Sequence, residues 1–328
     1  QYSLAHIGAT EASSSSFGSS FFGGVPLDFN GDGCTDFAYL RYTGRGRVWF
    51  GTCGSGATAV PELEGPAWSG NPRPVVIDWN GDGRDDLLLR GATHWQVLVS
   101  AGDRMLPIVD TGIPHGGAAS AFAADVDGDG LDDLLARVTG QLRLRLHLGV
   151  TADLLLEARD GFGVTATFGY APLTRAGVHT RFTGAAYPQR DLQDARPVAT
   201  SLVLDAGGGS RVSAGFAYEG LRQDLQGRGG LGFARRIAIE TAGSVTLRRE
   251  ETFRQDFPFT GLPAAHALRQ ASRRAIQEHS WQYAQVTLGS GAASRSWPYL
   301  AAAQDRRYEA GGAFRAGVRT TPPHPTQR

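Results

Sequence analysis

Short apolar runs bounded by aspartate and glycine recur along the first half of the chain. Three of them, Phe37–Leu40, Leu87–Leu89 and Leu134–Ala136, each follow an aspartate. Others lie between them, at Arg47–Phe50, Val75–Ile77, Trp95–Val99 and Ala121–Ala124. Runs of this length between turn residues predict buried strands better than they predict helices.

The segment Leu142–Leu148 alternates strictly between apolar and polar residues. Such alternation predicts a strand with one buried face. We therefore expect four leucines on one core-facing side, and Arg143, Arg145 and His147 on the other; the leucines are Leu142, Leu144, Leu146 and Leu148.

The second half of the chain carries longer polar and apolar segments separated by glycine-rich turns. Predicted strands are Thr165–Tyr170, Thr200–Leu204, Arg211–Tyr218, Arg235–Ile239 and Ser244–Phe253. Residues 264–285 fit either a helix, by spacing of Leu268 and its neighbouring alanines, or strands, by the run from Trp281 to Val286. We predict strands there, so the whole chain is predicted to be all-β.

A nine-residue loop starting at Asp28 recurs at Asp78 and Asp125. Glycines stand at loop positions four and six, and oxygen-bearing side chains stand at positions one, three, five and nine. These side chains are Asp28, Asn30, Asp32 and Asp36; Asp78, Asn80, Asp82 and Asp86; and Asp125, Asp127, Asp129 and Asp133. Position seven, which offers a backbone carbonyl, is Cys34, Arg84 or Leu131.

This layout predicts three calcium loops. Calcium takes six to eight oxygen ligands, and alternate side chains of a curled loop supply them. The alternative is that the loops are Asp/Asn/Gly turns whose side chains cap their own backbone. An EF-hand is excluded, because position twelve is Tyr39, Leu89 or Ala136 instead of glutamate, and a strand follows instead of a helix.

The loops start 50 and 47 residues apart, from 28 to 78 and from 78 to 125. A period of 40 to 50 residues with several strands per unit is typical of a β-propeller blade. The order of aspartate loop, apolar strand and glycine-rich hairpin resembles FG-GAP/VCBS calcium-loop propeller repeats. A propeller closes with four to eight blades, so three loops predict either an arc or additional blades before Gln1, and we favour additional blades.

A second motif lies in Tyr218–Phe233, followed by Phe257–Gly261. Gly227, Gly229 and Gly232 match G-x-G-x-x-G, but strand-like residues follow where a dinucleotide site needs a helix. The motif is similar to the β region after the propeller in toxin-complex B subunits, SpvB-like and Rhs/YD-repeat proteins. This resemblance implies an Rhs-type antiparallel β-sheet domain.

The predicted organisation has four parts. Residues 1–24 are a Ser/Gly-rich linker or the edge of a preceding blade, and residues 25–156 are propeller repeats with three calcium loops. Residues 157–300 are the Rhs/toxin-complex-like domain, and residues 301–328 are a flexible tail. The chain opens on Gln1 without a signal-like segment, so we expect a processed form or a piece of a longer protein.

The net charge bears on which partners the protein binds, and the two cysteines bear on its redox compartment. The formal net charge is zero, which gives no indication of binding to nucleic acid or anionic membranes, and no apolar run is long enough to span a membrane. Cys34 and Cys53 flank a predicted hairpin with a turn at Thr43–Gly46. They are expected to form a disulfide in an exported protein, or to be two inert thiols in a reducing compartment.

Catalytic patterns are absent from the sequence. The eight histidines show no H-E-x-x-H spacing, and no G-x-S-x-G elbow occurs. The resemblances imply a non-catalytic structural or binding part of a secreted bacterial toxin-delivery protein, in which calcium-stabilised blades dock a partner or close a shell. The implied partner is a toxin subunit or a cell-surface receptor. The alternative is a calcium-dependent surface adhesion or receptor-binding propeller, and a weaker one is a calcium-dependent hydrolase whose catalytic residues lie elsewhere.

Overall fold

A computed structural model shows an all-β chain. It describes residues 21–41, 43–51, 62–69, 74–117, 120–208, 211–289, 291, 294–309 and 313–320. These residues form strands and turns, without an α-helix, and none of them forms a helix long and apolar enough to cross a membrane. The chain divides into two compact units, of which the first holds residues 1–127 and 131–154 and the second holds 128–130 and 155–328.

The first unit consists of three antiparallel meanders. Strands β1 to β4 form one sheet, β5 to β8 form the next, and β9 to β11 form the third. Their bounds are Phe21–Leu27, Asp36–Arg41, Thr43–Trp49 and Glu62–Ser69; Val75–Ile77, Asp86–Arg90, His94–Leu98 and Val109–Pro114; and Ser120–Ala124, Asp133–Val138 and Gln141–Arg145. Four-stranded meanders in series are propeller blades, and we call the three sheets blades 1, 2 and 3.

Two apolar clusters lie between successive blades. The first joins blades 1 and 2 and includes Phe29, Ala38 and Leu87, each fully buried. The second joins blades 2 and 3 through residues such as Leu88 and Leu134. Both faces of blade 2 are therefore buried, because neighbouring residues of its strand β6 point to opposite sides of the sheet.

The second unit is dominated by one 11-stranded sheet in the order β12, β13, β16, β17, β20 and then β21 to β25. The pair β14 and β17 is parallel, and β15, β18 and β19 form a separate small sheet. In chain order from β12 to β25, the bounds of the strands are Glu157–Arg159, Thr165–Pro172, His179–Thr180, Gln189–Asp191, Pro197–Asp205, Arg211–Glu219, Arg222–Asp224, Gly229–Gly232, Arg235–Ala242, Val245–Phe253, Pro263–Gln270, Ala275–Leu288, Arg295–Tyr308 and Phe314–Thr320.

Most predicted strands are confirmed, including those in residues 264–285, which form β22 and the start of β23. The glycine match at residues 227–232 is followed by strand β20 and not by the helix that a dinucleotide site needs, so the rejection of such a site is confirmed. The predicted division after residue 156 compares with an observed division after Leu154.

Four expectations need correction. The predicted turn at Thr43–Gly46 is wrong, because these residues belong to β3 and pair with β4. Residues 21–24, assigned to a linker or to the edge of a preceding blade, belong to β1 of the first sheet. Residues 301–308 and 314–320, assigned to a flexible tail, complete the large sheet as parts of β24 and β25. The tail residues are held there by backbone pairing over the whole length of β25. Residues 1–20 and 321–328 lie outside the described residues.

The fourth correction concerns the leucines of the third blade. Leu142, Leu144 and Leu146 are 61%, 45% and 43% exposed, and Leu148 is 92% exposed. Within β11, Leu142 and Leu144 lie on the face turned away from blade 2, since Leu144 pairs with Leu135 and not with a residue of the buried cluster. Leu146 and Leu148 follow the end of the strand at Arg145, so the predicted strand is shorter than Leu142–Leu148.

Candidate metal centre and sheet surface

Each aspartate loop of the first unit closes on the buried carboxylate at position nine. Asp36 accepts hydrogen bonds from the backbone N–H of Phe29 (2.9 Å) and of Gly51 (2.7 Å). Its Oδ2 atom thus binds the loop, and its Oδ1 atom binds the backbone at the end of the third strand of the blade. Asp36 is 1% exposed, so these bonds lie in the interior.

The same arrangement repeats in the other two loops. Asp86 accepts from Trp79 (3.0 Å) and from Ser100 (2.7 Å). Asp133 accepts from the N–H groups of Val126 (2.8 Å) and His147 (2.9 Å). The loop spacing predicts the three aspartates but not their second donors, which lie 14 or 15 residues further along the chain.

The carboxylates at position one organise the loop backbone. Asp28 accepts hydrogen bonds from the N–H groups of Gly31 (2.9 Å), Asp32 (3.1 Å) and Gly33 (2.9 Å). Gly31 and Gly33 both have positive φ, at 74° and 80°, a conformation that glycine adopts without steric cost. In the first loop these hydrogen bonds are those of an Asp/Asn/Gly turn. Each carboxylate oxygen can accept more than one partner, so the same oxygens could also bind a cation.

Aspartates at loop position eight connect neighbouring blades. Asp85 accepts a hydrogen bond of 2.7 Å from the N–H of Asp28, and Asp132 accepts one of 3.0 Å from the N–H of Asp78. The sequence analysis did not single out either residue. The signal was present in the paired aspartates at 85–86 and 132–133, but the first loop has Thr35 at this position.

Burial and crowding affect the acidity of these carboxyl groups. Burial raises the pKa of Asp36, Asp85 and Asp132, and it raises the pKa of Asp86 to about 7. Backbone hydrogen bonds oppose the effect and neighbouring aspartates add to it. The loops thus hold several carboxylates close together, and both burial and the neighbouring negative charges make the ionised form of these groups less favourable.

The third loop brings three carboxylates close enough together to share one cation. Ligand oxygens of Asp125, Asp127 and Asp133 all lie within 4.8 Å of one another. Two oxygens that each bind one calcium ion at about 2.4 Å can be no further apart than about 4.8 Å. Among the described residues, this is the one group of three carboxylate, imidazole or thiol side chains that meets the limit.

The first two loops offer a different donor set. Both have asparagine at position three, and its side-chain amide donates to the carboxylate at position five, at 2.9 Å in each loop. In the second loop Asp82 is also paired with the guanidinium of Arg84. That pairing places a positive charge where a cation would bind, so the residues of the second loop fit calcium less well than those of the third.

For the predicted disulfide, the structure describes one of the two cysteines. Cys34 is disulfide-bonded, and Cys53, the other cysteine of the chain, lies outside the described residues.

The large sheet of the second unit is charged on both faces. Strand β21 contains four consecutive charged residues, Arg248 to Glu251, so alternate members project to opposite sides. On one face Arg236 pairs with Glu251 and Arg249 with Glu240 (3.0 Å). On the other face Glu250 pairs with Arg248, at 2.6 Å, and Arg269 with Glu278, at 3.0 Å.

Among the described residues of this unit, the one cluster of buried apolar side chains lies away from strands β21 to β25. The buried cluster described there comprises Ala171, Leu173, Val178 and Leu221, packed against residues such as Phe233. None of its members comes from β21 to β25. An ordinary sheet covers at least one face with apolar side chains against a second layer, whereas strands β21 to β24 take part in ion pairs on both faces.

The comparison with protein families finds repeats in the part of the chain that forms the three blades. The family model for the FG-GAP-like repeat matches residues 28–89 and 78–136. Residues 28–136 carry FG-GAP-like repeats. No curated protein matches the chain.

Solved toxin-complex structures share the fold of both units. The crystal structure of TcdB2-TccC3 has 13% sequence identity and a TM-score of 0.68, and the match covers 87% of this chain and 18% of that one. TcdB2-TccC3 without its hypervariable C-terminal region gives 12%, 0.66, 87% and 17%, and the Photorhabdus luminescens Tc holotoxin pore gives 12%, 0.65, 87% and 17%. The chain therefore spans less than a fifth of the length of these structures, and at such identity the likeness concerns fold.

Proposed function

We propose that the chain is a non-catalytic structural part of a secreted bacterial toxin-delivery protein of the toxin-complex B or Rhs type. In this role the large sheet is a segment of the wall of a hollow shell, and the blades dock a partner or close the shell. Any toxic enzyme domain lies outside this chain. The partner is a toxin subunit or a cell-surface receptor.

The observation that carries this proposal is the charged surface on both sides of β20 to β24. A wall between an aqueous lumen and the outside has water on both faces. Cross-strand ion pairs such as Arg269 with Glu278 suit that setting, because they satisfy charged groups without requiring a second layer. The similarity of fold to TcdB2-TccC3 over 87% of the chain supports the same role.

For the blades we propose calcium as a structural ion. Asp125, Asp127 and Asp133 would hold it in the third loop, with Asp129 and the carbonyl of Leu131 as further oxygen donors. Bound calcium would supply positive charge among clustered carboxylates and would hold both ends of the loop together. In the first two loops, hydrogen bonds to the carboxylates hold the ends of the loop together, so bound calcium would contribute less to their stability or nothing.

Electron microscopy of the complete protein, in the form in which its cells produce it, tests the proposal. A hollow particle whose wall includes this chain is the expected result. A solid particle contradicts the wall role. A particle without a cavity that also binds intact cells in the presence of calcium favours the adhesion propeller instead.

A further inference from the structure

A cavity of about 310 Å³ lies within the first unit, between blades 2 and 3. Its wall is mainly apolar, and the apolar residues of the wall are Ile77, Trp79, Ile113, Leu134, Leu146 and Leu148. Asp132, Arg145 and His147 add polar groups to this wall. Small-molecule sites are typically concave, roughly 300–1,000 Å³ in volume, and apolar with a few polar groups that fix the ligand. The cavity has the size and the composition of such a site.

The cavity lies beside a blade position that an apolar side chain fills at the preceding junction. Leu98 pairs across the sheet with Leu87, the residue after the position-nine aspartate of blade 2. Arg145 pairs with Leu134, the residue after the position-nine aspartate of blade 3. Leu98 and Arg145 are therefore equivalent, but Leu98 is fully buried in the cluster that joins blades 1 and 2, whereas Arg145 is exposed. The second junction thus has a guanidinium and a cavity where the first has a packed leucine.

The aromatic side of the cavity is held in place by the third aspartate loop. Trp79 stands at position two of its loop, where the first loop has Phe29. Phe29 is fully buried, whereas Trp79 is partly buried and lines the cavity. The Trp79 ring stacks on the ring of His147, with 6.5 Å between the centroids and 22° between the planes. His147 donates its backbone N–H to the buried Asp133 at 2.9 Å. Because this bond fixes the backbone of the aromatic pair, little of the wall has to become ordered when a ligand binds.

The cavity carries one carboxylate and one guanidinium that are not paired with each other. Asp132 accepts the N–H of Asp78 with its Oδ2 atom at 3.0 Å, and its Oδ1 atom has no hydrogen-bond donor among the described residues. Arg145 forms no ion pair with any side chain in the described part of the chain. Both groups are therefore available to a ligand.

We propose that this cavity binds an α-amino acid with an apolar side chain. The ligand carboxylate pairs with Arg145, whose planar guanidinium can donate two parallel hydrogen bonds to it. The ligand ammonium donates to the Oδ1 atom of Asp132. The apolar side chain of the ligand lies against Trp79, Ile113 and Leu134.

Other ligand classes satisfy fewer of these groups. A simple anion would meet the negative charge of Asp132, and a simple cation would meet the positive charge of Arg145. A neutral apolar molecule would cover both charged groups without pairing either, which is costly. A zwitterion with an apolar body satisfies both charges and the apolar wall. This site does not depend on the proposed wall role, because all of its residues lie in the first unit.

Isothermal titration calorimetry of the whole chain, at a fixed calcium concentration, tests the ligand class. At least one of L-leucine and L-phenylalanine is expected to bind with a Kd of about 0.1–1 mM, as suits a ligand of this size. Three analogues of the amino acid that binds are each expected to bind at least about tenfold more weakly: its amide, which lacks the carboxylate, the corresponding acid without the amino group, and glycine. No binding of either amino acid, or an analogue that binds as tightly as its parent, would overturn the proposal.

Three substitutions locate the site. Arg145→Leu places in blade 3 the residue that blade 2 has at the equivalent position, and it is expected to weaken binding at least about tenfold. Asp132→Asn keeps an acceptor for the N–H of Asp78 but removes the charge, so the same loss is expected. Arg143→Leu is the matched control, because Arg143 is exposed on the same strand and does not line the cavity; its Kd should equal that of the wild type.

Circular dichroism shows whether each variant is folded. In folded proteins, an unchanged Kd in Arg145→Leu or Asp132→Asn contradicts the site, and so does a loss of binding in Arg143→Leu. The comparison of ligand analogues uses the wild type alone and stands even if a variant fails to fold.

Discussion

The side chain of Asp85 accepts a hydrogen bond of 2.7 Å from the backbone N–H of Asp28, which lies 57 residues earlier in the chain. The backbone N–H of Asp85 in turn donates to the carbonyl of Asp28 at 2.9 Å. These two bonds link the aspartate loops of adjacent blades. Asp132 and Asp78 repeat the side-chain bond at the next junction, so the loops fix the blades to one another as well as closing on themselves.

Replacing a position-nine aspartate is expected to destabilise the first unit strongly. Asp86→Ala leaves the N–H groups of Trp79 and Ser100 without their acceptor. Each buried group that loses its partner costs about 1–3 kcal/mol, so for the two groups we expect a loss of roughly 2–6 kcal/mol in the free energy of unfolding. Urea denaturation in the presence of a chelator measures this without a contribution from calcium. Asp103→Ala is the control, since that carboxylate is exposed; equal effects of the two substitutions would refute the role of Asp86.

Calcium is expected to stabilise the first unit through the third loop. A ligand that binds the folded state adds RT ln(1 + [L]/Kd), which is about 1.4 kcal/mol at ~1 mM calcium and a Kd of ~0.1 mM. Thermal unfolding with increasing calcium should show the shift in the wild type and not in Asp127→Asn. Asp103→Asn should behave as the wild type. A shift that survives in Asp127→Asn places the ion elsewhere, and no shift in the wild type contradicts a calcium site.

Two arginine–carboxylate pairs of the second unit are expected to differ in their contribution to stability. Arg222 donates to Asp191, whose side chain is 4% exposed, at 2.9 Å. Arg222→Ala leaves that buried charge unpaired and should cost roughly 3 kcal/mol. Arg236 and Glu251 form a pair that is half exposed on the arginine side, so Arg236→Ala should cost less than about 1 kcal/mol. Denaturant unfolding of both variants measures the difference, and a similar cost for the two would contradict the burial argument.

Acid is expected to loosen the core of the second unit through His179. Its Nε2 atom accepts a hydrogen bond of 3.2 Å from the N–H of Leu221, which requires the neutral ring. Burial lowers the pKa of His179 below 6.5, against the opposing carboxylates of Asp194 and Glu219. Because the pKa is lower in the folded state, the contribution to stability is complete above about pH 6.5 and is lost as the pH falls through the folded value.

His179→Gln should therefore have a smaller loss of stability than the wild type between about pH 6.5 and pH 5. Glutamine stays neutral and can still accept from Leu221. Unfolding free energies at half-unit steps of pH give the comparison. Parallel pH profiles of the two proteins would show that His179 does not titrate during folding.

Residue patterns predicted the local structure of this chain better than its surfaces. The loops from Asp28, Asp78 and Asp125 and the strands after them follow from glycine and aspartate spacing, which is a local property. The exposure of Leu144 could not be predicted, because alternation shows that a strand has an apolar face and not whether another element covers it. The sequence predicted a strand over Ser244–Phe253, but only the sheet order places the ion pairs of Arg248 to Glu251 on both of its faces.

The position-eight aspartates show the same limit at the candidate site. Asp85 and Asp132 act on the preceding blade, 57 and 54 residues away, and that relation depends on how blades stack. The proposed preference of calcium for the third loop likewise depends on side-chain placement, since Arg84 lies against Asp82 in the second loop.

The wall role is tested most directly by labelling the two faces of the sheet separately. Val318 and Arg319 are neighbours on β25, both are exposed, and they pair with Asp305 and Gln304 on opposite faces. Val318→Cys and Arg319→Cys should both react with a bulky polyethylene glycol maleimide in the isolated chain. In the complete assembled protein, one of the two should become at least about tenfold slower because its face lines the enclosed lumen, while the other keeps its rate. Equal rates for both positions in the assembled protein would contradict the account.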